Sequence, residues 1–556
     1  MPREAGHSSG RGYADLHDHL ALLEREGLLI RVARPIDKDT ELHPLVRWQF
    51  RGGIPEPERK AFLFEQVTDA KGRRFGMPVV VGALAANRRI YSLGIGCAVE
   101  AIGQKWQDAI AHPIAPVQVD RGPVHEVVRT GNQLDEPGGG LDLLPIPIST
   151  PGFDNAPYVS CAAWITKDPA TGAQNVGCYR GQVKARRRLG MNPSVELRPG
   201  IFLHWLKYRE LGRPMPAALM IGGPPVVIYT AVQKLPADVE ELTVAGGLAG
   251  GPIRVVRCKT VDLTVPAEAE IVVEGLIDTE WLEPEGPFGE SHGHVNLQEY
   301  NPFMEVTAIT YRRNAILPSI ISQVTPSESS LIKKVAYEPL LLNQLRTNLA
   351  IRSVVRVGMH EPLTNLRKLV VVQMHQPAER EIWQALYGTA CFQPAIGKIV
   401  VAVDEDIDPE NPDAVFWAMS YRMNPQHDVQ IIKGKDPGHG PRPTRGGDAE
   451  RERSASDSAM LINAIRKRSF PPISLPKQEY MERAKVIWEE LGLPPLKPEN
   501  PWYGYSLGEW CDEFEQEARL AVQGDAFLVG ERLAKRRIKG EMPNKGAWPE
   551  GEEEPA

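Results

Sequence analysis

Apolar residues recur at helical or strand spacing along most of the chain, and the pattern changes near residues 130 and 330. Leu16, Leu20 and Leu23 share one face of a predicted helix over residues 15–26, which ends at Gly27. Residues 87–103 fit a strand followed by a helix. Short apolar runs predict further strands at residues 28–32, 61–64, 79–81 and 91–93.

The middle of the chain is a series of short, β-branched runs separated by turns. A stretch rich in Gly and Pro at residues 133–150 precedes it, so we predict a domain boundary shortly before that stretch. Such spacing is typical of a barrel or a packed sheet. A helix over residues 198–211 interrupts the series. The predicted strands cover residues 159–165, 175–183, 217–221, 226–231, 253–259, 270–277 and 305–311.

From residue 330 onward, helices and strands alternate, which is typical of an α/β domain. Residues 435–457, rich in Gly and Pro, predict a flexible loop. The predicted helices that follow suit an arm on a partner subunit. The α/β part has predicted helices at 338–348, 378–386 and 411–423 and strands at 353–358, 369–373 and 398–403; the C-terminal helices are at 476–491, 507–522 and 525–538.

Composition narrows the class of protein. The chain has 556 residues, enough for two or three domains, and a net charge of −7, from which we expect no nucleic-acid partner. The longest apolar runs are too short to span a bilayer, and we predict no signal peptide. The six cysteines form no C-x-x-C pair, which favours free thiols in a reducing cytoplasm.

Two carboxylates flank a short loop, Glu285-Gly286-Pro287-Phe288-Gly289-Glu290. Gly and Pro exclude a regular helix here, because Pro lacks the N–H and Gly favours other backbone conformations. We therefore predict a tight loop that brings Glu285 and Glu290 to one point. Carboxylates in one site have pKa values that are pushed apart, so one can hold a proton while the other stays charged. The alternative is a solvated turn with two exposed glutamates.

Other candidate ligands are spread along the chain. Asn175 and Arg180 lie on one extended run, and Arg180 could bind a carboxylate through forked hydrogen bonds. His204 lies in an apolar helix, and Glu241 precedes a segment of small residues. An Asn, a neutral His and a carboxylate would suit Mn²⁺ or Mg²⁺. Spacing alone does not establish that they meet; a surface arginine and a core histidine are the alternatives.

Two charged runs have less specific interpretations. The basic run at residues 184–188 is typical of solvated surface, with a bound phosphate or a coenzyme A tail as the alternative. The acidic run at residues 404–408 resembles a metal loop but lacks the Gly that an EF-hand turn needs. The end of a strand with helix capping before Pro409 explains it better. The chain has no P-loop, G-x-S-x-G, H-E-x-x-H or G-x-G-x-x-G motif.

Several short motifs occur in an order that characterises one enzyme family. They are Asn175 with Arg180, Leu203-His204, residues 241–246, 265–275 and 285–290, and Lys398 with residues 404–408. In this order they resemble the UbiD-type decarboxylases, over roughly residues 15–490. Each motif is weak alone, and together they are highly specific.

The resemblance implies a reversible, non-oxidative decarboxylase that uses prenylated FMN. Its substrate would be an aromatic, heteroaromatic or α,β-unsaturated acid, which releases CO₂. A covalent adduct to the cofactor would supply the electron sink that loss of CO₂ from an sp² carbon requires. The protein would then hold the carboxylate, exclude water and return a proton.

The resemblance also implies roles for particular residues. Asn175, His204 and Glu241 would hold Mn²⁺ or Mg²⁺ against the cofactor phosphate, with a K⁺ ion nearby. Arg180, Glu285 and Glu290 would be catalytic, with Glu290 as the proton donor. Lys398 would lie near the cofactor phosphate. The full implied cofactor-binding set is Asn175, Gly177, Cys178, Tyr179, Arg180, Leu203, His204, Glu241 and Lys398.

The implied fold is α/β (α+β), with a split β-barrel domain that binds prenylated FMN, a second α/β domain and C-terminal dimerisation helices. We expect an N-terminal α/β segment at residues 1–125, the barrel domain at 126–328, the second domain at 329–490 and a helical extension at 491–556. The implied partners are a flavin prenyltransferase as cofactor supplier and copies of the same chain, as a dimer or a trimer of dimers.

The chain departs from the family pattern near the substrate side. Ser291-His292-Gly293-His294 follows Glu290, where many members have an aromatic-rich stretch, and Leu203 stands where some have Gln. We therefore predict a preference for ring acids with a polar substituent, or fused rings, over plain cinnamate. Two other functions remain: a flavin-binding carrier or redox partner without C–C cleavage, and a metal-dependent hydrolase.

Overall fold

The computed structural model describes residues 12–195, 198–233, 235, 239–364, 367–393, 395–435 and 457–536. The predicted loop at 435–457 lies almost entirely outside these residues. The first helix, Leu16–Arg25, begins at Asp15, whose side chain accepts a hydrogen bond from the Asp18 amide, and its apolar face is buried. The strands that follow, with Leu317–Ser319 from later in the chain, form a four-stranded sheet in the order Leu29–Asp37, Ala61–Thr68, Val79–Val81 and Leu317–Ser319.

One predicted strand in this region is wrong. Residues 91–93 lie in the helix Arg88–Gly94, which Asn87 caps by accepting a hydrogen bond from the Ile90 amide. An apolar run of three residues cannot separate a strand from a buried helix, whereas the cap residue decides it. The other α-helices here are Leu42–Arg51 and Ile102–Ala111; the 3₁₀ segments are Glu56–Glu58, Val99–Ala101, Pro123–His125, Gly131–Leu134 and Gly140–Leu143.

A nine-stranded antiparallel half-barrel sheet forms the centre of the molecule. Its core includes Trp164, Leu219 and Val273, all fully buried. Val127–Thr130 pairs with the long strand Phe303–Tyr311 at one side. The remaining strands follow the order Tyr158–Val159, Gly181–Ala185, Arg188–Met191, Phe303–Tyr311, Ile271–Ile277, Met215–Ile221, Ala162–Lys167 and Gln174–Cys178.

Three of the described helices pack on this sheet. One of them lies where a strand was predicted, so a second prediction is wrong. Residues 226–231 were predicted as a strand, but they belong to the helix Pro225–Val232. All but its last residue are buried, and a helix apolar on every side has the same continuous pattern as a buried strand. The other two helices are Gly200–Glu210 and Glu241–Ala249. Small sheets join Thr264–Pro266, Arg254–Arg257 and Val117–Gln118; Glu283–Glu285 and Glu299–Asn301; and Phe288–Gly289 and Val295–Asn296.

The second α/β unit has its own apolar core on each face of a five-stranded sheet. The helix Glu328–Asn343 leads into it and continues as a π-helical segment, Gln344–Asn348. This helix begins ten residues earlier than predicted, because Ser327 caps it. The sheet order is Val354–Met359, Leu369–Met374, Ile399–Asp404, Asp457–Ala464 and Val429–Lys435; the helices are Glu379–Ala390, Pro412–Arg422 and Pro425–Asp428.

The C-terminal helices lie outside both cores. Gln478–Glu490, Asp512–Gln523 and Ala526–Ala534 have no buried residues. Large apolar side chains on them, such as Phe527, remain exposed. The predicted mixed α/β class, with a half-barrel sheet and a second α/β domain, is confirmed. The predicted domain bounds and dimerisation role stay predictions.

Candidate active site

Arg180 joins the two predicted catalytic glutamates. It lies between the strands Gln174–Cys178 and Gly181–Ala185. Its Nε and Nη2 donate to Glu285 Oε1 and Oε2 at 2.9 and 2.6 Å, and its Nη1 donates to Glu290 Oε1 at 2.9 Å. The structure therefore brings together three side chains that are distant in sequence.

Phe288 is the buried centre of the loop between the two glutamates. The Arg180 guanidinium carbon lies 4.9 Å from the centre of its ring, and the Tyr158 ring packs against it with centroids 4.3 Å apart. Gly286 has a φ of +102°, a conformation that other L residues rarely adopt. This bend after Glu285 places both carboxylates on the same guanidinium.

Neighbouring polar groups fix the loop. The Asp154 carboxylate accepts hydrogen bonds from the Gly289 amide at 2.8 Å and the Thr150 amide at 2.7 Å. Burial raises the pKa of Asp154 to about 6, although these bonds favour its charged form. Asn301 Nδ2 donates to Glu285 Oε2 at 3.2 Å.

The two glutamates differ in access. Glu285 is fully buried behind Arg180, whereas the Glu290 side chain keeps 16% of its surface exposed. Burial alone would lower the pKa of Arg180, but its hydrogen bonds to Glu285 and the charges of both carboxylates raise it, so Arg180 stays charged. Glu285 therefore fixes the guanidinium from its buried side, whereas the Glu290 carboxyl is accessible from the cavity.

A second polar cluster contains Asn175, His204 and Glu241. Asn175 Nδ2 donates to Glu241 Oε1 at 2.9 Å, and the Val176 amide donates to Glu241 Oε2 at 2.8 Å. Thr166 lies directly opposite Asn175 in the sheet, and its hydroxyl is 2.9 Å from His204 Nδ1. The contact at Nδ1 makes Nε2 the ring atom that His204 can offer to a ligand.

The donors of this cluster fit a divalent cation. Among the described residues, the buried Asn175 Oδ1 has no hydrogen-bond partner. Burial lowers the pKa of His204, which keeps its ring neutral, and raises the pKa of Glu241 to about 7. A cation would satisfy the oxygen and stabilise the charged carboxylate, and two oxygens with one imidazole suit Mn²⁺ or Mg²⁺. Within the described residues, no group of three or more His, Cys, Asp or Glu side chains could hold a metal. The cluster described here contains only two such side chains, His204 and Glu241, and its third donor is an asparagine.

Both clusters face one cavity of about 1210 Å³. Gly200 permits close approach of the helix Gly200–Glu210 to the Asn175 side chain, since a Cβ there would lie 2.5 Å from Asn175 Cγ. The volume exceeds that of a typical small-molecule pocket, so it can hold a large ligand together with a small acid. The predicted residues on its wall are Asn175, Gly177, Cys178, Tyr179, Arg180, Leu203, His204, Glu241 and Glu290.

Lys398 is not brought to the cavity. It lies just before the strand Ile399–Asp404, and its Nζ donates to Asp457 at 2.7 Å. Because Asp457 begins the neighbouring strand, this ion pair holds Lys398 at the start of the central strand of the second sheet. The arrangement gives no support to the prediction that Lys398 binds the cofactor phosphate.

The sequence did not signal several residues of the cavity wall. Lys333, Arg367 and Gln393 come from the second α/β unit and carry no local motif. Of the residues after Glu290, Ser291 and His292 line the cavity, whereas His294 is exposed and does not.

The two charged runs have structural partners. Arg186 pairs with Asp142, and the other basic residues of the run at 184–188 have acidic partners of their own. None of these side chains lines the cavity, so the geometry favours solvated surface over a coenzyme A tail. Asp404 and Asp406 pair with Arg422 at 2.7 Å, which agrees with the end of a strand and not with a metal loop.

Three domain models of one known protein family match this chain along most of its length. It matches the 3-octaprenyl-4-hydroxybenzoate carboxy-lyase N-terminal domain over residues 20–110, the Rift-related domain over 116–324 and the C-terminal domain over 330–446. The chain belongs to the UbiD family. The resemblance drawn from the motifs is confirmed, and so is the prediction of a carboxy-lyase.

Similar proteins and solved structures match this chain over nearly their whole length. An uncharacterised protein of Aquifex aeolicus is 30% identical over 514 residues, which cover 87% of this chain and 100% of that protein. The UbiD-class enzyme HmfF from Pelotomaculum thermopropionicum, in complex with FMN, is 30% identical with a TM-score of 0.72, covering 85% of this chain and 100% of HmfF. An evolved dimeric form of HmfF in complex with prFMN has the same identity and TM-score and is covered to 99%.

A vanillic acid decarboxylase is another solved structure that this chain resembles. The Sedimentibacter hydroxybenzoicus enzyme in its closed form is 25% identical with a TM-score of 0.72, covering 86% of this chain and 99% of that one. Among the described residues, no helix has both the length and the apolar character needed to cross a membrane.

Proposed function

We propose that this chain catalyses the reversible, prenylated-FMN-dependent decarboxylation of an aromatic, heteroaromatic or α,β-unsaturated acid. The observation that carries the proposal is the pairing of two clusters in one cavity: a carboxylate–guanidinium–carboxylate group and a separate donor set suited to a divalent cation. Relatives that are 30% identical form complexes with FMN and prFMN, which supports a flavin in the same place.

In this proposal Asn175, His204 and Glu241 hold Mn²⁺ or Mg²⁺, which would bind the phosphate of the cofactor, with K⁺ nearby. The family resemblance is the only support for K⁺. Prenylated FMN would supply the electron sink for the negative charge left when CO₂ departs. The wall residues Gly177, Cys178, Tyr179 and Leu203 would contact the cofactor.

The protein's own groups would position the acid and move one proton. Arg180 would keep the Glu290 carboxyl directed into the cavity, and buried Glu285 would fix the angle of the guanidinium. Glu290 would donate the proton that replaces CO₂ and take it back in the reverse direction. Phe288 and Tyr158 exclude water from the inner side of this group.

A flavin carrier or redox partner is less consistent with the site. Such a protein needs a pocket for a ring and a phosphate, but no buried arginine bridging two glutamates. A metal-dependent hydrolase would need the metal to face the substrate with an open water position, whereas the donor set here is separate from the Arg180 group.

The remaining parts of the proposal concern partners and organisation. A flavin prenyltransferase would supply the cofactor, and the exposed apolar residues of the C-terminal helices would join two copies of the chain, as a dimer or a trimer of dimers. We keep the domain bounds at 1–125, 126–328, 329–490 and 491–556, and the cytoplasm as the location.

The deciding experiment is expression together with a flavin prenyltransferase. The bound cofactor is identified by absorbance and mass, and a panel of unsaturated and aromatic acids is tested for CO₂ release. Exchange of labelled bicarbonate into the acid tests the reverse direction. A chain that binds the cofactor but releases no CO₂ from any acid, with the Glu290→Gln variant indistinguishable, would support the carrier instead.

A further inference from the structure

Two cations of the second α/β unit face the cavity. Lys333 lies on the helix Glu328–Asn343, and Arg367 lies just before the strand Leu369–Met374; both line the cavity wall. Among the described residues, neither side chain makes a hydrogen bond or a close ion pair, although the Glu290 carboxylate acts electrostatically on Lys333. The guanidinium of Arg367 instead lies over the Tyr337 ring, 5.5 Å from its centre.

Their position is at the catalytic end of the cavity. Burial, followed by the charge of Arg367, lowers the pKa of Lys333 to about 8, while the charges of Glu290 and Cys178 act in the opposite direction. Lys333 is therefore close enough to Glu290 and Arg367 to interact electrostatically with both. Lys333 and Arg367 therefore give this part of the cavity wall two cationic side chains.

The neighbouring Lys334, on the same helix, has hydrogen-bond partners within the protein. Its Nζ donates to Glu338 Oε1 at 2.7 Å and to the Met359 carbonyl at 2.6 Å, and it is buried away from the cavity. Lys333 has no such partners among the described residues. A charged group that faces a cavity and is not neutralised by the protein is positioned to bind an anionic ligand.

The anion that these cations suit is not the carboxylate that reacts. That group leaves as neutral CO₂, so cations bound to it would stabilise the ground state more than the transition state and slow the reaction. Cations can contribute to binding without this penalty only if their anion keeps its charge throughout. The cofactor phosphate also keeps its charge, but in the proposed function it lies at the cation held by Asn175, His204 and Glu241. A second carboxylate on the substrate is therefore the anion left for Lys333 and Arg367.

We propose that Lys333 and Arg367 form a subsite for a second carboxylate on the acid substrate, so that the enzyme prefers dicarboxylic acids. This inference rests on the proposed decarboxylase function and specifies its substrate class. It assigns specificity to residues of the second α/β unit, whereas Arg180, Glu285 and Glu290 of the half-barrel side act on the reacting carbon.

The kinetic test uses pairs of acids that differ by one carboxylate: cinnamate with 4-carboxycinnamate, and benzoate with terephthalate. For Lys333→Met in the cofactor-loaded enzyme we expect KM for the diacid to rise about 10- to 100-fold, the effect of losing one charge-assisted contact. The kcat for the diacid and both constants for the monoacid should stay within about threefold. Lys333→Arg should restore the diacid KM, and Lys71→Met, in an exposed turn, is the control.

A binding test keeps the inference separate from the proposed function. Calorimetric titration of the FMN-loaded protein with each acid needs no turnover, and wild type should bind each diacid at least about tenfold more tightly than its monoacid, an advantage that Lys333→Met and Arg367→Met both lose. If no acid releases CO₂ but this preference holds, the decarboxylase fails and the subsite stands. In calorimetry, the subsite would be overturned by equal affinity of wild type for diacid and monoacid, or by equal losses of affinity for both acids in the variants. In the kinetic test, a fall in kcat shared by both acids would also overturn it.

Discussion

The Arg180 guanidinium binds Glu285 through two parallel hydrogen bonds of 2.9 and 2.6 Å, and Glu285 has no exposed surface. The fork fixes the plane of the guanidinium and aims its third nitrogen at Glu290. Because Glu285 is enclosed, it is unsuited to proton exchange with a ligand. The two glutamates, which look equivalent in the sequence, therefore have different environments.

Arg180→Lys should preserve the charge and lose the fork. A lysine ammonium cannot span both oxygens of Glu285 and reach Glu290 in fixed geometry. We expect bound metal and flavin to be retained and kcat to fall at least about 100-fold, in the range found when a positioned electrostatic group is lost. Stopped CO₂ release with unchanged cofactor absorbance checks this; near wild-type turnover would show that the fork is not needed.

Glu290→Gln should keep the fold and the cofactor and stop turnover. Gln has nearly the same size but cannot donate or accept the catalytic proton, so we expect a loss of about 10²–10⁴-fold in kcat. Glu283→Gln, in a half-buried pair with Lys184 outside the cavity wall, is the matched control and should retain activity. If Glu290→Gln decarboxylates at the wild-type rate, the proton comes from another group.

His204→Ala and Glu241→Ala should each lose divalent metal and flavin together. Asn175 Oδ1 and the two replaced side chains are the oxygen and nitrogen donors of one cluster, so removing one leaves an incomplete coordination set. Metal analysis and flavin absorbance of the purified variants measure both losses. His112→Ala, on an exposed surface, should retain both, and a His204→Ala protein with full metal and flavin content would contradict the assignment.

Much of the site was predictable because its signals are local. Gly286 and Gly289 on either side of Pro287 predicted the loop that joins Glu285 to Glu290, and the half-barrel strands carried clear β-branched runs. Residues 226–231 were assigned wrongly, since a short helix that is buried on every side has no polar face to give a 3.6-residue period. Residues 91–93 were assigned wrongly because three apolar residues are too few to show a period at all. The cap residue Asn87 was the available signal for residues 91–93.

The remaining site residues depend on packing between distant segments. Thr166 reaches His204 only because the sheet register places it opposite Asn175. Lys333 and Arg367 face the cavity because the second α/β unit packs against the half-barrel, and no local pattern encodes that contact. Lys398 was assigned from family resemblance alone, and its ion pair with Asp457 could be seen only in the folded chain.

Asp154 gives the stability of the protein a defined pH dependence. Burial raises its pKa from 3.8 to about 6, so the folded chain holds this proton more tightly than the unfolded chain. The stability contributed by this group is therefore present at low pH and is lost as pH rises from about 4 to about 6.

Asp154→Asn removes the titrating group and keeps one acceptor for the Gly289 amide. We expect the Tm of this variant, relative to wild type, to rise between pH 4.5 and pH 7, measured by thermal unfolding at several pH values. Asp135→Asn, in an exposed ion pair with Arg187, serves as the control. A Tm difference that is constant across this range would show that Asp154 is not held in its buried state.

Ser291 sets the space available beside Glu290. Its amide and hydroxyl donate to Glu290 Oε2 at 2.9 and 3.3 Å, and it lines the cavity next to His292, which contacts Asn296 at 2.7 Å. A small side chain here leaves room for a substituted or fused ring.

We therefore expect Ser291→Phe to fill that space and to reduce kcat/KM for bicyclic acids at least about tenfold more than for cinnamate, within the range that steric discrimination in a pocket supplies. Ser291→Ala, which removes only the hydroxyl, should leave the ratio within about threefold. Steady-state competition between 2-naphthoate and cinnamate measures it, and an unchanged ratio in Ser291→Phe would place the substrate ring elsewhere in the cavity.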